Sequence, residues 1–134
     1  LINRLLEVSS VQECAAMGRG TMKSDARVSM VGRLNSQEIE QFMALAVEAA
    51  RAEVRQAAYA QASHEQLGAA VQAIMSRMSP SDAERFRTVT IQVQHPAQGR
   101  DEDVCWMGKS LYREVEHLPS PHREHLRQGL SRWE

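Results

Sequence analysis

Apolar residues recur along most of this chain at intervals of three and four, the period of a helix with one buried side. In residues 1–17 the apolar side is Ile2, Leu5, Leu6, Val8 and Val11, and Gly18 followed by Gly20 closes the run. Residues 36–61 contain no glycine or proline and are rich in alanine, so propensity and pattern agree on a long helix. Its expected buried side is Ile39, Met43, Ala46, Ala50, Val54 and Ala57. A further stripe, Leu67, Ala70, Val71, Ile74, Met75 and Met78, follows so closely that an antiparallel hairpin is favoured over a kinked continuation.

Polar residues mark where these helices start. Asn35 with Glu38, and Ser63 with Gln66, have the spacing of capping boxes. Ser79-Pro80 places a capping serine before a proline in the first helical position, and Ser120-Pro121 repeats the device. Asp101 is the expected cap of a helix over residues 102–118, with stripe Val104, Met107, Leu111, Val115 and Leu118. The last helix carries His122, Leu126, Gly129, Leu130 and Trp133 on one side.

Two segments break the helical period. Val28, Met30, Gly32 and Leu34 alternate with polar or small residues, and residues 88–93 (TVTIQV) are β-branched and alternating. If both are strands they pair as a short two-stranded β ribbon; if neither is, the fold is wholly helical. The fold class is therefore mainly α: a single helical domain over residues 1–134 of about five or six helices, with the ribbon 28–34/88–93 as its variant. A start at Leu1 rather than methionine suits a domain excised from a longer protein.

Composition narrows the function classes. Sixteen basic against seventeen acidic residues give a formal charge of −1, so no global field draws nucleic acid or an anionic membrane. Aromatics make up 4%, too few for base-stacking platforms. No apolar run reaches the roughly 18 residues of a membrane span. Cys14 and Cys105 are too few for a disulfide framework and read as reduced, buried thiols of a cytoplasmic protein; the alternative localisation is secretion without a signal peptide. Alanine, glutamine and arginine bias suits a bacterial effector or regulatory protein.

The residue that departs from its helix is Trp106. At about 100° per residue it lies opposite the stripe of residues 102–118, beside Lys109, Ser110 and Arg113. Either another part of the chain covers it, or it anchors a partner with Lys109 and Arg113 as rim contacts. The leading expectation is a non-enzymatic helical protein–protein interaction domain, binding another protein or self-associating as a homodimer. The second is an anion- or phosphate-binding module in the basic loop 19–33, using Arg19, Lys23, Ser24 and Arg27; it lacks the glycine before lysine that a Walker A loop requires. The third is a small enzyme or metal protein built on His122 and His125, one turn apart. His64-Glu65 lacks the second histidine of a zincin, and no nucleophile elbow is present. No catalytic residue, metal ligand or cofactor is assigned.

Overall fold

The structure is a computed structural model and describes residues 1–55, 61–93 and 99–130. Within them the chain forms helices and no strand: α1 (Ile2–Val8), α2 (Val11–Gly18), α3 (Ser24–Val31), α4 (Ser36–Val54), α5 (His64–Met75), α6 (Pro80–Val93), α7 (Asp101–Val115) and α8 (His122–Leu130). The ribbon is corrected on both sides, since 28–31 lie in α3 and 88–93 in α6. The β-branched run is helical with Val89 buried beside Ala15 and Val104. Thr90 Oγ1 donates back to the Phe86 carbonyl at 2.8 Å, which satisfies the hydroxyl without holding the helix together.

The helix expected over residues 1–17 is two helices. Ser10 caps α2 by accepting from the Glu13 amide, while the Glu13 carboxylate accepts from the Ser10 amide at 2.7 Å. That capping box ends α1 at Val8 and turns the chain. The boxes at Asn35–Glu38 and Ser63–Gln66 form as expected, and Ser79 Oγ accepts from the Asp82 amide at the head of α6. Asp101 is the first residue of α7 rather than its cap, a place taken by Arg100. The Ser120–Pro121 peptide bond is cis, and the Ser120 hydroxyl donates to Glu124.

α7 is the spine. Val104 packs with Ala15 of α2 and Val89 of α6; at the far end Val115 and Leu118 join Ala70 and Ile74 of α5 and Leu126 of α8. A third cluster, Leu5, Met30 and Leu34, joins α1 to α3 and takes in Ile39 and Phe42 from the first turns of α4. Cys14 and Cys105 form a disulfide with a Cα–Cα distance of 5.1 Å. This corrects the reading of two reduced thiols: the cysteines lie 91 positions apart, and only the packing of α2 along α7 brings them together.

The α4–α5 hairpin is also corrected. α5 packs on α8, α6 and α7, whereas α4 past Phe42 is exposed along the side expected to be buried. Trp133 and residues 56–60 and 94–98, including Ala57 and the His95-Pro96 stop, lie outside the described residues.

Candidate functional site

Among the described residues, α4 carries four of the seven large apolar side chains that stand exposed. Its first two turns are fixed. Asn35 and Glu38 complete the cap, Arg4 Nε donates to Glu38 Oε1 at 2.8 Å, and Ile39 and Phe42 pack on the α1–α3 cluster. The amide of Asn35, followed by Arg4, holds the Glu38 carboxyl below the usual carboxylate range.

Beyond Phe42 the same helix leaves the body. Met43 is 55% exposed, Leu45 58%, Val47 45% and Val54 83%, and the alanines between them are mostly exposed as well. Met43, Val47, Ala50 and Val54 follow at spacings of four, three and four, so they form one stripe along the helix. Val47, Ala50 and Val54 line a shallow groove with Arg51 and Arg55. A second depression, lined by Arg27, Val28, Val31 and Phe42, lies where α3 meets α4; Val28 there is 71% exposed.

Charge is ordered along one side of the stripe. Glu40, Arg51 and Arg55 lie roughly 50–110° round the helix from its centre, acid at the N-terminal end and bases at the C-terminal end. Glu48 pairs with Arg51 at 2.6 Å, while Glu40 and Arg55 make no ion pair among the described residues. Such a surface can seat another helix: apolar and small residues in the middle, fixed charges at the rim.

Trp106 is half-buried by its own chain. Its ring meets Phe86 edge-on, with centroids 6.5 Å apart at 67°, and the Arg85 guanidinium lies 4.2 Å from its centre. Arg85 is held by Asp103 at 2.7 Å, so the cation over the ring is itself anchored. Lys109 and Arg113 are exposed on α7, but Ser110, expected on the same polar side, is buried. α7 has helices packed round most of its circumference, which leaves only a narrow wet strip through Glu102, Lys109, Arg113 and Glu116.

The basic loop is divided. Arg19 donates to Asp101 Oδ1 and to the Gly99 carbonyl, both at 2.6 Å, which draws it toward the start of α7. Arg33 grips Glu13 through both terminal nitrogens, at 2.6 and 2.7 Å. Lys23, Ser24 and Arg27 remain exposed at the head of α3. His122 and His125 are half-buried on α8, and among the described residues no three metal-ligating side chains converge. Likewise, no helix of the described residues is long and apolar enough to cross a membrane.

Sequence reasoning overlooked α4 as a surface because its stripe has the same period as a buried one. Compared with family models, curated proteins and solved structures, the chain finds no match.

Proposed function

We propose that this chain is a non-enzymatic helical interaction domain whose docking element is the outer part of α4. The observation that carries the reading is the stripe Met43, Val47, Ala50 and Val54, which continues past the body with its apolar side chains in water. A helix laid into or against another helix needs an apolar seam with a charged rim, and α4 supplies both. Trp106, Lys109 and Arg113 serve as a subsidiary contact in this reading, because Arg85 and Phe86 already cover part of the indole. The phosphate-binding alternative ranks lower, since Arg19 is committed to Asp101.

The Cys14–Cys105 bond supports work in an oxidising compartment, which favours the secreted alternative over the cytoplasmic one. The test is Val47→Glu, melted at low micromolar concentration. A free docking face leaves the melting temperature within about 2 °C of the parent, as expected of an exposed position. A fall of more than about 5 °C means that the chain's own packing depends on Val47, and ends the reading.

A further inference from the structure

We infer that the occupant of the α4 face is a second copy of this chain, docked antiparallel through its own α4; the inference rests on the interaction-domain reading above. The argument is charge complementarity. In an antiparallel pair of helices related by a two-fold axis, the same flank of each helix meets its counterpart. The flank that carries Glu40 at one end carries Arg55 at the other, so antiparallel copies place acid beside base twice. A parallel pair sets that flank against the opposite one, where the sequence has alanine at position 46 and glutamate at position 53. It puts acid level with Arg51 and Arg55 but offers Glu40 no cation at its own level, so Glu40 is matched in the antiparallel pair alone.

The apolar register agrees. A two-fold axis midway between Val47 and Ala50 sets Val47 of each copy against Ala50 of the other, and Met43 against Val54. The small side chain at Ala50 lets the two backbones approach. In that register Glu40 of one copy lies about 3 Å along the axis from the level of Arg55 in the second copy, within reach of both long side chains. Neither residue has an ion-pair partner among the described residues of a single chain, and both are exposed.

The experiment is sedimentation velocity on the full chain from about 1 to about 100 µM, with circular dichroism of every variant to confirm helicity. The parent is expected to pass from monomer to dimer over this range, and Val47→Glu to remain monomeric. Glu40→Arg or Arg55→Glu alone should weaken the dimer about tenfold, and the two together should restore it to within about threefold of the parent. A parent that stays monomeric throughout overturns the proposal, as does a dimer indifferent to Val47→Glu. Single reversals without effect, or a double reversal without rescue, overturn the antiparallel arrangement. The interaction-domain reading fails on a separate measurement, the melting temperature of dilute Val47→Glu, so the two failures are distinguishable.

Discussion

Cys14 of α2 and Cys105 of α7 are covalently joined in a buried cluster with Leu6, each at most 5% exposed. The bond ties the first third of the chain to the last third and closes a loop spanning 91 positions. Cross-linking so long a loop removes entropy from the unfolded chain, by about 4–5 kcal/mol in the ideal case and typically about 2–4 kcal/mol in practice. Thermal unfolding of Cys14→Ser with Cys105→Ser, or of the parent in strong reductant, should therefore lose about 5–15 °C. Unchanged melting after reduction would show that the bond adds nothing to stability.

Trp106 should matter to folding more than its position opposite the apolar stripe implies. Truncating it removes the edge contact to Phe86 and leaves the Arg85 guanidinium without its ring. Trp106→Ala is expected to cost about 2 kcal/mol by urea titration, whereas Lys109→Ala and Arg113→Ala should stay within about 0.5 kcal/mol. In Trp133→Phe, where Trp106 is the remaining indole, iodide should quench the emission only partly. Full quenching would mean that α6 does not cover the ring.

Glycine substitutions should divide by sign. A methyl group at Gly18 would stand 3.0 Å from Cγ1 of Val104, a fully buried and stiff side chain. Gly18→Ala is expected to lose about 1 kcal/mol. Gly68 in α5 and Gly108 in α7 have nothing within 4 Å of such a methyl, so Gly68→Ala and Gly108→Ala should each gain about 0.5–1 kcal/mol of helix stability. A stabilising Gly18→Ala would show that α2 and α7 can part at that point without cost.

Glu13 should make the domain sensitive to acid. Arg33 first, and the Ser10 amide second, lower its carboxyl from the ordinary 4.5 to about 2. A group lowered in the folded state contributes its stability fully above pH 4.5 and loses it as pH falls toward 2. Solvent around Arg33 limits the contribution to about 1 kcal/mol. Urea midpoints at about pH 5 and about pH 2.5 should differ less for Glu13→Gln than for the parent. An equal drop in both would assign the acid sensitivity to other carboxylates.

What the sequence made legible was local. Asn35 with Glu38, Ser63 with Gln66 and Ser79 with Pro80 each act within one turn, so their spacing alone locates a helix start. Ser10 with Glu13 is the same signal, hidden because apolar spacing continues from Val8 to Val11 across the break. The alternation at Val28, Met30 and Leu34 misled because α3 is short and buries little besides Met30, leaving Val28 in solvent. Non-local relationships were out of reach. The disulfide depends on α2 lying along α7, and Trp106 is covered because α6 lies against a helix with neighbours round most of its circumference. For α4, the pattern located the stripe but could not tell an occupied groove from open water.

The way α4 is mounted has a calorimetric consequence. Its far end lacks tertiary support among the described residues and relies on alanine propensity and the Glu48–Arg51 pair, interactions worth a few tenths of a kcal/mol each. Warming the dilute chain should fray that end well before the disulfide-tied body gives way. Helicity would then decline on a slope ahead of the main transition, and a van't Hoff enthalpy taken from ellipticity would fall below the calorimetric one.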